Sequence, residues 1–231
     1  MPAKTVPAGG LNLIRNCITV YSIIERAVAG TFYKGVRNTT MSEYVLNDDR
    51  DYEIISGKVY MMSRPNMNHV TIAGNLFGIF QRFLMDKTCE VYFEPDVFLD
   101  SKNNFIPDIV VLCDKNKKKF KGIYGAPDLV IEILSPSTDM KDMGEKKDVY
   151  GQTGVKEYWV VDPKSKKITV YYLSGDSLKI NNTYYYCSAK QLEEMPEDEK
   201  KAIVSSFNAG LFSDLEIRLS QVFKNVINEN E

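Results

Sequence analysis

Apolar positions along the chain change period several times, and each change marks an element. In "YEIISGKVYMM" (52–62) two short apolar runs flank Ser56-Gly57, the pattern of a β-hairpin. "NHVTIAGNLFGIFQRFLMDK" (68–87) sets Val70, Ile72, Leu76, Ile79, Phe80 and Phe83 near helical spacing and predicts a helix. The centre is rich in Val, Ile, Leu and Phe, with strands expected at about 90–99, 106–113 and 127–134. A helix is expected after "SPST", capped by Ser137 or Thr138 and ended by Gly154. "VKEYWVVD" and "KITVYYLS" form a second hairpin around "PKSK". "LEEMPEDEKK" reads as a helix or surface insertion, and "LSQVFKNVINENE" as a terminal helix with a frayed tail. Residues 1–40 stand apart as a partly helical extension, with Met41 a candidate start and 41–231 the main domain.

Composition narrows the class. A chain of 231 residues, 44% hydrophobic and 26% charged, is that of an ordinary globular protein. Its net charge of −2 lacks the basic excess of a bulk nucleic-acid binder, although a local patch could serve. Cys17, Cys89, Cys113 and Cys187 contain no C-x-x-C pair, so cytoplasmic free thiols are expected, without zinc or a disulfide framework. A catalytic cysteine is disfavoured, since His69 is the single histidine. No run of 18 apolar residues predicts a membrane span. Charged residues interrupt the apolar stretch 11–30, which reads as an amphipathic helix and not as a signal segment.

The candidate chemistry lies among three Pro-Asp pairs, ending at Asp96, Asp108 and Asp128, together with Glu132 inside an apolar run. If 106–113 and 127–134 pair antiparallel about residue 120, Asp108 stands opposite Glu132. Opposed residues share a face with Cβ atoms about 5 Å apart. Two carboxylates that close repel unless a cation or a shared proton separates them, and Mg²⁺ suits such a pair. Asp128 shares the face of Glu132 but lies roughly 13 Å along the same strand, too far for one ion. Asp96 depends on the register of 91–99 against 105–113 and stays open.

"IPDIVVLCD…APDLVIEILSPSTDMKDMGEKKDVYGQTGVKEYWVVDP", with "YEIISGKVYMM" and "NHV" ahead of it, resembles the Uma-type endonuclease family. That family, long catalogued as a domain of unknown function, resembles a branch of the PD-(D/E)XK nuclease superfamily. The resemblance spans roughly 42–225 and is dense from 107 to 163. It implies metal-assisted hydrolysis of phosphodiester bonds in DNA, with Asp108, Glu132 and the backbone carbonyl of Ile133 holding Mg²⁺ or Mn²⁺. The superfamily lysine two residues after the Glu is replaced by Leu134. In the Uma-type pattern D-x-x-x-K-x-x-x-Y the lysine sits on the following helix, matched by Asp142, Lys146 and Tyr150. Lys146 would orient or help deprotonate the attacking water. The hairpin "SGK" departs from the family's usual "DGE", leaving Glu53 as the upstream accessory acid, with His69 a second accessory position.

Each residue also has an ordinary role. Lys146 can pair with Asp142 on one helical face, Tyr150 and Trp159 can pack, His69 can bond locally, and Glu94 can sit on a strand surface. Lys115, Lys117, Lys118, Lys119 and Lys121 read first as a solvated loop tip, with phosphate contact as the alternative. The expected fold is α/β, a restriction-endonuclease-like core whose central mixed or antiparallel sheet is flanked by helices. The expected function is a cytoplasmic, Mg²⁺-dependent endonuclease acting on DNA, with a homodimer left open. The alternative is a non-catalytic protein of the same fold that binds nucleic acid or a protein partner.

Overall fold

The structure is a computed structural model that describes residues 52–135, 140–201 and 203–227. The expected boundary at 40/41 and the expected cap at Ser137 or Thr138 lie outside these residues. In chain order the strands are β1 (Tyr52–Ile55), β2 (Lys58–Met61), β3 (Glu90–Phe93), β4 (Val97–Asp100), β5 (Asn103–Phe105), β6 (Ile109–Leu112), β7 (Lys118–Lys119) and β8 (Gly122–Tyr124). They continue as β9 (Leu129–Ile133), β10 (Glu157–Asp162), β11 (Lys167–Ser174), β12 (Ser177–Tyr185), β13 (Ser206–Ala209) and β14 (Phe212–Arg218). Helix α1 covers Met67–Leu84 and α2 covers Met140–Thr153. Shorter helices lie at Ala189–Glu194, Glu197–Lys200 and Leu219–Val222.

Two six-stranded mixed sheets carry the fold, ordered β2-β1-β5-β4-β8-β7 and β12-β11-β10-β9-β6-β3, with β13-β14 as a separate hairpin. In the second sheet β9 and β10 run parallel, joined by α2 as the crossover, while the other neighbours are antiparallel. That sheet is covered on both faces, which explains why β6 (IVVL) and β9 (LVIEI) are buried at every position. One face, with Ile109, Ile131 and Trp159, packs on α1 and β13–β14. The other, with Val110, Val130 and Tyr158, packs on α2 and on Ile55, Val97, Phe105 and Ile123 of the first sheet. Asp108 and Glu132 have the parity of this second face, so they point between the two sheets.

Several expected boundaries shift. The strand expected over 90–99 is broken at Glu94-Pro95-Asp96, where Glu94 has φ 46° and Pro95 brings no N–H, so β3 and β4 enter different sheets. The stretch 114–126 is not a plain loop. It holds a 3₁₀ turn (Lys115–Lys117) and the β7–β8 hairpin, which joins the first sheet by parallel pairing of β4 with β8. The expected terminal helix shrinks to one turn, Leu219–Val222: the face of Leu219, Val222 and Phe223 enters the core, and Asn225 at φ 63° takes the chain out of helical geometry. Ser56 (φ 51°) and Gly57 (φ 79°) make the left-handed turn that a two-residue hairpin needs. Gly154 ends α2 at φ 97°, with its N–H on Tyr150 O.

The cysteine expectation is corrected. Cys89 and Cys113 form a disulfide, with Cα atoms 4.0 Å apart. Glu90 pairs with Leu112 in the β3–β6 ladder, so the next rung outward brings the two cysteines face to face. A sequence separation of 24 hides this, because only the strand register creates the contact. It also removes the free-thiol ground for a cytoplasmic setting; among the described residues Cys187 is the free thiol.

Candidate active site

The β6–β9 ladder pairs Ile109 with Ile131, Val110 with Val130 and Val111 with Leu129. Continued one rung, it sets Asp108 opposite Glu132, as a hairpin centred on residue 120 requires. Both line a cavity of about 200 Å³ together with Glu53, His69, Glu94, Ile133 and Lys146. Tyr60, Met61, Met62 and Pro65 form an apolar wall on one side.

Each carboxylate is fixed by its neighbours. Asp108 Oδ2 accepts from the backbone N–H of Ile133 at 2.6 Å, and Oδ1 lies 3.1 Å from His69 Nε2. His69 reaches it because Asn66 caps α1, its side chain accepting from the His69 N–H, so the first helical turn ends at the cavity. Glu132 Oε1 receives both the Lys146 ammonium (2.7 Å) and the Tyr150 hydroxyl (2.8 Å). Lys146 also binds Glu53 Oε1 at 2.8 Å, and that same oxygen accepts from the Ile106 N–H. Lys146 and Tyr150, four apart on α2, therefore share one face and one target. The side chain of Asp142 lies outside the described residues.

Burial sets the electrostatics. It pushes the Glu132 carboxyl up to about 7, against the pull of the Lys146 charge and with help from the negative charges of Asp108 and Glu53. Lys146 is raised: burial opposes its charge, but Glu132 and Glu53 on either side more than compensate. Burial pulls His69 down, while the hydrogen bond to Asp108 and the charges of Asp108, Glu132 and Glu94 push harder the other way, so its net shift is upward. At neutral pH Lys146 is an ammonium held between two acids.

The remaining acids separate clearly. Asp128 is structural: Oδ2 accepts from the Cys113 N–H at 2.7 Å and Oδ1 binds Lys156 at 2.7 Å. Asp96 is exposed, its carbonyl accepting from Ile123 N–H at the β4–β8 junction, away from the cavity. Sequence reasoning missed Glu94. The β3–β6 register sets it across from Asp108, whose carbonyl accepts the Glu94 N–H at 3.1 Å, and it lines the cavity instead of a plain strand surface. The signal available was the adjacent proline, which breaks the strand there. The lysine run divides: Lys118 and Lys115 pair with Glu90, and Lys117 donates to Ala126 O.

Residues 40–199 match the Uma2 family model, described as "Putative restriction endonuclease". The chain belongs to the Uma2 family. An uncharacterized protein from Synechocystis sp. is 30% identical over 141 residues, which is 58% of this chain and 74% of that protein. A crystal structure from Anabaena variabilis, described as a "putative nuclease belonging to DUF820", superimposes with a TM-score of 0.62 at 17% identity. It covers 82% of this chain and all of its own. At that identity the likeness shows the fold alone. The cavity of this Uma2 family member lies at the C-terminal end of β9, beside the start of β6. No helix among the described residues is long and apolar enough to cross a membrane.

Proposed function

We propose that this Uma2 family member is a divalent-metal-dependent endonuclease that hydrolyses phosphodiester bonds in DNA. The observation that carries the reading is the pairing of Asp108 with Glu132 across the β6–β9 ladder, in a cavity that also receives Lys146. Among the described residues no group of three or more His, Cys, Asp or Glu is arranged to hold a metal. The donor set fits Mg²⁺ or Mn²⁺ nonetheless, since Mg²⁺ commonly takes one or two carboxylates and fills its shell with water and substrate phosphate. Asp108 and Glu132, with the Ile133 carbonyl, are the residues assigned to it. The bound ion would supply Lewis-acid polarisation of the phosphate and a more acidic water.

The chain's own groups prepare that chemistry. The Ile133 N–H and His69 fix the Asp108 carboxylate, and Tyr150 and Lys146 fix Glu132. Lys146 keeps positive charge where negative charge would grow on the phosphorus oxygens. Glu53 holds Lys146 from its other side. Met61, Met62 and Pro65 line the cavity beside these groups.

A second reading has one observation in its favour. Lys146 already bonds to both Glu132 and Glu53, so the two buried acids share a cation of the chain's own and the site could belong to a non-catalytic binding protein. Incubation with supercoiled, linear and branched DNA plus Mn²⁺ decides between them. The nuclease reading expects cleavage that Lys146→Ala reduces and EDTA abolishes. Binding without cleavage of any form selects the second reading.

A further inference from the structure

The segment Asp114–Gly122, "DKNKKKFKG", holds five lysines and one aspartate around a single aromatic residue. Its β7–β8 hairpin pairs Lys118 with Ile123 and Lys119 with Gly122, leaving Phe120 and Lys121 as the two turn residues. Phe120 is 105% exposed, so its whole ring stands in solvent, and Lys118, Lys119 and Lys121 are exposed around it. One exposed apolar side chain is ordinary by itself. This one sits on a rigid mount. Lys118 is held by Glu90 at 2.7 Å and Lys117 by Ala126 O at 2.7 Å. The Ile123 and Gly125 N–H groups bind Asp96 O and Phe98 O, both at 2.8 Å. Gly122 passes so close to the Asp96 carbonyl that a Cβ would have no room. A flexible solvated loop needs none of these anchors.

We propose that the Phe120 hairpin is a docking point for single-stranded nucleic acid, with the ring stacking on an unpaired base and Lys119 and Lys121 meeting the adjoining phosphates. A ring presented between cations suits a base face beside a charged backbone, and an unpaired base offers that face without prior unstacking. Insertion into a duplex would first have to unstack a base step, and repays that only by wrapping much more protein surface than a two-residue turn presents. The hairpin is separate from the candidate active site. In the sheet order β1-β5-β4-β8-β7, four strand spacings, about 19 Å in all, lie between β7 and β1, which carries Glu53. The hairpin would therefore hold a part of the strand other than the scissile phosphate. The inference rests on the nuclease reading for its purpose, and it implies DNA with an unpaired segment as the substrate class.

The test is fluorescence anisotropy with the full chain, a fluorescein-labelled 20-nucleotide oligo(dT) and the matching duplex, in EDTA so that nothing is cut. The single strand should bind more tightly than the duplex. Phe120→Ala should weaken single-strand binding on the order of tenfold. Phe120→Trp should retain it, with quenching of the new indole on binding. Lys119→Ala combined with Lys121→Ala should flatten the log K against log salt slope by about 1.4. Equal affinity of Phe120→Ala and wild type, or tighter binding of the duplex, overturns the proposal. Because Phe120 is wholly exposed, loss of folding cannot imitate the effect. Cleavage could fail while this binding holds, and the binding could fail while cleavage holds, so the two readings fall separately.

Discussion

Glu132 and Glu157 sit on neighbouring parallel strands, both almost fully buried, yet they are held in opposite ways. Glu157 accepts from the Trp159 indole N–H (2.8 Å) and the backbone N–H groups of Gly210 (3.0 Å) and Leu211 (2.7 Å). Its donors do not titrate, and they tie the β13–β14 turn to the central sheet. Glu132 instead meets a lysine and a tyrosine on a single oxygen, and it faces a cavity. A buried carboxylate fed by backbone N–H groups locks a turn in place. One fed by ionisable side chains beside a cavity has the surroundings that the proposed metal site requires.

The largest expected effect comes from removing the cation between the acids. Lys146→Ala leaves Glu53 and Glu132 buried without their partner and should cost about 3–5 kcal/mol in urea unfolding. Next, Glu157→Ala strands an indole N–H and two backbone N–H groups and should cost about 2–4 kcal/mol. Its metal affinity should match wild type. A parallel loss of metal binding would break the distinction between the two glutamates.

A smaller effect sharpens the distinction through pH. Burial raises the carboxyls of both Glu132 and Glu157. A raised folded pKa means that each contribution to stability is complete below the ordinary value of 4.5 and is lost as pH climbs through the folded value, about 7 for Glu132. Added Mg²⁺ should offset the loss at Glu132, since it favours the ionised carboxylate, and leave that at Glu157. Stability measured against pH with and without Mg²⁺ checks this, and Glu132→Gln should remove the metal-dependent part. Smallest of all, Tyr150→Phe removes one hydrogen bond, worth about 1 kcal/mol. It should also raise the pH midpoint for metal binding, because the ionised Glu132 loses a donor.

The core of the fold was legible where periodicity and register were local. The helix over 68–87, the Ser56-Gly57 turn and the Asp108–Glu132 rung follow from spacing alone, since each depends on one element or one pair of strands. The β7–β8 excursion, the Cys89–Cys113 disulfide and Glu94 were not legible, because each depends on which sheet a strand joins after Pro95 breaks the run. The resemblance pointed to Lys146 and Tyr150. Only the packed structure shows that both converge on Oε1 of Glu132.

The most direct test of the central claim is calorimetric titration of Mn²⁺ into wild type, Asp108→Ala, Glu132→Ala and Glu157→Gln. Binding should be present in wild type and in Glu157→Gln and absent in the two cavity variants. Equal binding in all four would contradict the assignment of Asp108 and Glu132 as the metal site.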